Sequence, residues 1–215
     1  MRLRSLVCVS LVVCAALGLA AVPAAADDPT PPGDGPLVLH IGDSFVQAGL
    51  MQALKPMFNE AGARYMVRAR QSMYTPTAIH AFHLATLVPS VRPALVIVTL
   101  GANELRMPRP DDHSHAIKEI SRIAGSTACV WITPPPPSSG QTGIVEVIKR
   151  DSVPCRVFDS SELASQIARG PDKIHPTPRG GAMWAKAFWD WLQTERDTTK
   201  GAWALKPRPD ATPAE

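Results

Sequence analysis

The chain has 215 residues and a mass of 23.1 kDa, enough for one sizeable domain and too short for two comfortable ones. Hydrophobic residues at 45% and charged residues at 19% can fill a packed core, which excludes general disorder. Aromatics at 6% are too few for rows of base-stacking platforms, and without Arg2 and Arg4 twenty basic residues face nineteen acidic ones, so the balance asks for neither nucleic acid nor an anionic membrane surface.

Residues 1–26 read as a secretory signal peptide. Arg2 and Arg4 precede an apolar run from Leu6 to Ala21, and Ala24-Ala25-Ala26 offers small residues for cleavage. An uncleaved membrane anchor is the alternative, since the run is barely long enough to span. Cleavage leaves a chain with no other stretch of membrane-spanning length, exported to the periplasm or beyond. Residues 27–36 (DDPTPPGDGP) form a Pro/Gly-rich linker, 37–196 the folded domain, and 197–215 a loose tail with Pro207, Pro209 and Pro213.

Within the domain, strand-like runs alternate with helix-period segments. The strands are Leu37–Ile41, Arg64–Ala69, Ala94–Leu100, Ala128–Thr133 and Arg156–Phe158, the third being continuously apolar as a strand buried on both faces should be. Leu50, Leu54, Met57, Phe58 and Ala61 share a helical face before Gly62, with Pro56 expected to kink or shorten that helix. Ile117, Ile120 and Ile123 mark a second helix closed by Gly125. Ile144, Val147 and Ile148 mark a third, and Leu163 with Ile167 a fourth. The last helix runs from about Pro178 to Glu195 with Trp184, Phe188, Trp191 and Leu192 inward. Such alternation specifies a parallel sheet with helices on both faces, and in such sheets ligands gather outside the carboxyl ends of the strands.

Two of the chemically suggestive segments sit at those ends. The first strand runs into Gly42-Asp43-Ser44, where a serine on a strand-to-helix turn presents both its hydroxyl and its N–H to one space; a helix N-cap is the plain alternative. The third runs into Gly101-Ala102-Asn103, whose amide suits a developing oxyanion and whose plain alternative is an Asn turn. A late loop carries Asp172-Lys173-Ile174-His175, in which a carboxylate three residues before a histidine can hold the ring's Nδ1–H and leave Nε2 as a base; a surface loop with an exposed histidine is the alternative.

In this order and placement the three segments resemble the SGNH (GDSL) hydrolase family, over residues 37–193. Gly42-Asp43-Ser44 matches the family's first block, Gly101-Ala102-Asn103 the third and Asp172–His175 the fifth. The resemblance implies an α/β, flavodoxin-like three-layer α/β/α sandwich on a five-stranded parallel sheet, with a shallow active site. It implies Ser44 as nucleophile, His175 as general base and acid, and Asp172 as its orienting partner, with no cofactor. The oxyanion hole would combine the Ser44 N–H, an N–H from the second block and the Asn103 side chain, with Asp43 and Gly101 in support. The family's second block centres on a glycine that this chain lacks. Ser72, in Arg70-Gln71-Ser72-Met73, aligns best with it and serves only if its backbone can adopt the conformation required.

Asp111-Asp112-His113-Ser114-His115 gathers metal-ligand types, but it precedes a helix where Asp and Ser are natural caps and has no second cluster, so no metal is expected. His80 and His83 read as packing or surface residues. Arg70 and Arg106 read as rim residues able to hold an anionic group, and Pro134–Pro137 as an extended wall beside the substrate. Cys129 and Cys155 open adjacent parallel strands, far from the catalytic edge, and are expected to form a disulfide worth about 2–4 kcal/mol. The expectation is an exported serine esterase of small acyl, including acetyl, esters on a small molecule or carbohydrate. The alternatives are an O-acyltransferase on envelope polysaccharide with the same triad, and a non-catalytic carbohydrate-binding module of the same fold. Nothing in the sequence fixes an oligomeric state.

Overall fold

The computed structural model describes residues 33–209; the segment read as a signal peptide and most of the linker lie outside the described residues. Five strands, β1 (Leu37–Gly42), β2 (Arg64–Ala69), β3 (Leu95–Thr99), β4 (Ala128–Ile132) and β5 (Arg156–Phe158), form one sheet in the order β2-β1-β3-β4-β5. All four pairings are parallel. This is the flavodoxin-like order, which reverses direction between β1 and β3 and opens a crevice at their carboxyl ends. Every residue of β1 and β3 is buried, as the unbroken apolar run of β3 foretells.

The strand alternation sorts the core into two layers. Leu37, Leu39, Ile41, Val96, Val98 and Trp131 face α2 (Thr75–Ala81), α3 (Leu84–Val91), α4 (Ser114–Ala124) and α5 (Ile144–Asp151). Val38, Leu95, Ile97, Val130 and Ile132 face α1 (Met51–Glu60) and α6 (Pro178–Glu195). Polar side chains interrupt the second layer at one place: His40 on β1 is fully buried, its Nδ1 against the Tyr65 hydroxyl and its Nε2 2.9 Å from the buried Thr99 hydroxyl. Burial holds its pKa down at about 3, so the ring is neutral. Cys129 and Cys155 are joined in a disulfide between the start of β4 and the residue before β5.

Three local expectations need correction. Pro56 lies inside α1, and the helix continues past it to Glu60. The segment with Leu163 and Ile167 is one 3-10 turn, Ser161–Leu163, followed by irregular chain. The Ser161 N–H that opens it is held by Asp159 Oδ1, and too few residues remain before Gly170-Pro171 to propagate a helix. Residues 197–209 are not a loose tail. Trp203 is 2% exposed, packed on Phe58 and Trp189 with the Arg196 guanidinium 4.4 Å from its ring centre, and Leu205 bridges back to Arg196. Burying one indole there is worth about 2–3 kcal/mol, enough to order a short polar segment.

Candidate active site

The site grows from the turn after β1. A Cβ on Gly42 would meet a Val46 methyl at 2.2 Å and the Thr99 carbonyl at 2.8 Å, so only glycine lets the chain turn this tightly against β3. The chain then runs through Ser44 and Phe45 into a π-turn at Val46–Leu50 and on into α1. Asp43 is fully buried beneath the turn. Its Oδ1 accepts the Phe45 N–H at 2.9 Å and its Oδ2 accepts the Ala102 N–H at 3.2 Å. One carboxyl thereby locks the Ser44 turn to the Gly101-Ala102-Asn103 turn after β3. Burial pushes that carboxyl up to about 7, against the pull of the two N–H donors. Gly101, at φ +110°, supplies the backbone shape of the second turn.

The late loop closes over Ser44 from the other side. Gly49 and Gly181 pack backbone to backbone; a Cβ on Gly181 would sit 2.4 Å from the Gly49 Cα, so the pair sets how closely α6 approaches the helical turn behind Ser44. Thr177 caps α6 by accepting the Gly180 N–H, and the chain before it carries His175. His175 Nε2 lies 2.9 Å from Ser44 Oγ. Its Nδ1–H donates to Asp172 Oδ2 at 2.6 Å, while Asp172 Oδ1 accepts the N–H groups of Ile174 and His175 at 2.9 and 3.0 Å. The His175 hydrogen bond and those two N–H groups hold the Asp172 carboxyl down at about 2. The imidazole also meets Phe45 edge-on, 5.6 Å between ring centres, and Phe45 rests on Trp184 of the core. Arg169 ties the loop down, donating to the carbonyls of Ile174, Pro135 and Pro136.

Two clefts meet at Ser44 and His175. One, of about 350 Å³, is polar and lined by Gln47, Gln71, Ser72 and Asn103. The other, of about 240 Å³, is walled by Phe45, Leu105, Pro137 and Ile174 with Arg106 and Arg169 at its edge. Ser44, Ser72, Asn103 and His175 thus share one space, with Asp172 behind the histidine and Asp43 and Gly101 beneath. Ser72 takes φ +54°, the left-handed conformation that glycine adopts freely and a serine enters at a cost of about 1–2 kcal/mol. Asn103 Nδ2 donates one hydrogen to the Met73 carbonyl at 2.9 Å and keeps the second. A serine hydroxyl on an imidazole nitrogen, the ring oriented by a carboxylate and the site flanked by amide donors, can attack a carbonyl and stabilise the oxyanion that forms.

Sequence reasoning missed Glu104. It is fully buried, its Oε1 accepting the Thr75 N–H at 2.6 Å at the first turn of α2 and lying 3.8 Å from His113 Nδ1. Burial raises its pKa. It joins the Asn103 turn to the segment bearing Ser72, yet nothing local distinguishes a glutamate after Asn103 from an exposed one. Of the other residues flagged, Asp111 and Asp112 pair with Arg150 and Arg109, and His113 turns inward to Thr75 and Glu104. His80 and His83 are exposed, and Arg70 is exposed and lines neither cleft. Pro137 does wall the apolar cleft. Among the described residues no group of three metal-ligating side chains occurs, and no helix is long and apolar enough to cross a membrane.

No family model matches the sequence, and no curated protein matches it significantly. Solved structures share the fold. A lipase/acylhydrolase from Enterococcus faecalis superposes with a TM-score of 0.61 at 17% identity, covering 80% of this chain and 98% of that one. A carbohydrate acetylesterase from Sinorhizobium meliloti gives 0.58 at 15%, covering 74% and 99%. A catalytic mutant of an acetylxylan esterase from Geobacillus stearothermophilus gives 0.58 at 14%, covering 74% and 94%.

Proposed function

We propose that this chain is an exported serine ester hydrolase of the SGNH type, acting on small acyl esters, with acetyl groups on carbohydrate as the preferred class. The observation that carries the reading is the continuous hydrogen-bonded chain from Ser44 through His175 to Asp172, opening onto a cleft shared with Asn103 and Ser72. Ser44 Oγ attacks the ester carbonyl while its proton passes to His175 Nε2. The oxyanion is met by the Ser44 and Ser72 N–H groups and the free hydrogen of Asn103 Nδ2. His175 returns the proton to the departing alkoxide, and the alcohol leaves behind an acyl-Ser44. A water then gives its proton to His175 and attacks, releasing the acid and restoring the serine.

The polar lining of Gln47, Gln71 and Ser72 supports a hydroxyl-rich alcohol, as does the fold shared with acetylesterases of carbohydrate and xylan. Export is supported by the basic and apolar N-terminus and by a disulfide, which persists in oxidising compartments. Turnover of 4-nitrophenyl acetate beside Ser44→Ala tests the chemistry. Hydrolysis abolished in the variant, with fluorophosphonate labelling of the wild type at Ser44, is the expected result. Equal background rates together with an unlabelled Ser44 would leave only the binding-module reading.

A further inference from the structure

The apolar cleft beside Ser44 has an unusual charge lining. Arg106 and Arg169 both border it, and no aspartate or glutamate does. Neither guanidinium has a carboxylate within ion-pair distance among the described residues. Arg106 is exposed and donates to the Ser139 hydroxyl at 2.7 Å. Arg169 is half-buried, and its partners are three neutral carbonyls. Burial lowers its pKa, with the Asp172 charge pulling the other way. That carboxylate is itself occupied by His175 and two N–H groups. Three other surface arginines are neutralised, Arg109 by Asp112, Arg122 by Glu119 and Arg150 by Asp111 and Asp151, while Arg64 and Arg196 bond neutral acceptors; what sets Arg106 and Arg169 apart is that both border one cleft beside Ser44.

The cleft also continues. Across Pro137 and Arg169 lies a third hollow of about 540 Å³, lined by Ser138, Ser161, Ser165 and Lys173, again with no acidic side chain. Two cations on one cleft wall, both hydrogen-bonded, one of them half-buried and neither with a counter-ion, attract an anion more strongly than isolated surface charges do.

Resting on the serine-hydrolase reading above, we propose that the natural substrate of this site is an anionic ester, one whose carboxylate lies a few atoms from the scissile carbonyl and binds Arg106 and Arg169 in the apolar cleft, with the rest of the molecule extending over Arg169 toward Lys173. The shared chemistry is the carboxylate. It belongs either to the acyl group or to the alcohol, as in an acetylated uronic acid.

Two matched pairs of esters separate these sources. On the acyl side, the mono-4-nitrophenyl ester of glutaric acid is compared with 4-nitrophenyl pentanoate. On the alcohol side, 4-acetoxybenzoate is compared with 4-acetoxybenzamide. Each rate is corrected for the ester's reactivity toward hydroxide. The readout is the ratio of kcat/KM for the anionic to the neutral member, in the wild type and in Arg106→Gln. Arg106 is chosen because it is exposed, whereas Arg169 also anchors the His175 loop. The expected ratio is about tenfold in one pair, identifying the side that carries the charge, and falls at least roughly threefold in Arg106→Gln. Raising the ionic strength should shrink it in the wild type without any substitution. Ratios near one in both pairs, or a preference untouched by Arg106→Gln and by salt, overturn the proposal. Loss of all hydrolysis, including that of the neutral esters, would instead sink the serine-hydrolase reading and this inference with it.

Discussion

Replacing Asp172 by asparagine probes the triad where geometry sets the tautomer of His175. All three groups that meet the Asp172 carboxylate are donors: two backbone N–H groups on Oδ1 and the His175 Nδ1–H on Oδ2. Asparagine offers one acceptor oxygen where two are needed. If that oxygen keeps the backbone N–H groups, the NH2 faces Nδ1, and the ring must carry its proton on Nε2, where it cannot take one from Ser44. If the amide turns to serve Nδ1, two backbone hydrogen bonds worth about 1 kcal/mol each are lost and donors confront donors. The competent tautomer then lies about 2–3 kcal/mol above the other, leaving roughly one ring in 30 to one in 200 able to act. Losing the carboxylate's charge opposite the imidazolium removes roughly another factor of ten. That factor is modest because His175 and Asp172 side chains are 39% and 48% exposed and water screens the pair. The expected loss in kcat/KM for 4-nitrophenyl acetate is therefore about 300- to 2,000-fold, short of the roughly 10⁴ found where such a carboxylate is buried. Urea unfolding at pH 7 should show a folded variant. The carboxyl held at about 2 stabilises the fold above its unfolded value near 4 and loses that effect as the pH falls toward 2, so the variant's acid limb should be flatter. A rate within tenfold of wild type and an unchanged pH–rate profile would refute the orienting role.

Two further substitutions test the backbone beneath the site. Ser72→Gly removes about 1–2 kcal/mol of left-handed strain and adds about 0.5–1 kcal/mol of unfolded-chain entropy. The melting temperature should therefore hold or rise, with kcat/KM within about twofold; a tenfold fall would mean that the serine side chain, not its N–H, does the chemistry. For Asp43→Asn the readout is the stability difference between variant and wild type across pH. A buried acid raised to about 7 stabilises the fold below its unfolded value near 4 and loses that effect as the pH rises through 7. His40, held at about 3, works in the opposite sense, losing its contribution as the pH falls from about 6.5 toward 3, so the wild-type curve alone hides both. The variant should gain about 3–4 kcal/mol on the wild type between pH 4 and 8, offset by a fixed cost for the N–H it leaves without an acceptor. A difference that is flat with pH would show that the two N–H donors cancel the burial.

The sequence by itself determined what is local. Apolar and β-branched runs placed all five strands within a residue or so at each end, most plainly β1 and β3, whose burial on two faces leaves an unbroken pattern a short window can read. Gly42-Asp43-Ser44, Gly101-Ala102-Asn103 and Asp172–His175 each have a plain local alternative, and it is their joint order and placement, resembling that of the SGNH family, that singles them out. Only the tertiary structure decided what these segments meet. Ser44 and His175 are 131 residues apart, and their 2.9 Å contact depends on the crossovers and on how closely Gly181 lets α6 approach Gly49. Asp43 tells nothing locally of its grip on Ala102, nor Glu104 of its grip on Thr75, because a carboxylate's partner lies across the sheet edge in another strand's turn. Trp203 sits among prolines and charges that read as a tail, and is buried because a hollow beside Phe58 and Trp189 exists only once α1 and α6 have packed. The charge of the apolar cleft follows the same rule: Arg106 is legible in sequence as a rim residue, but Arg169 is not, and only the tertiary structure brings the two onto one cleft wall that carries no acid.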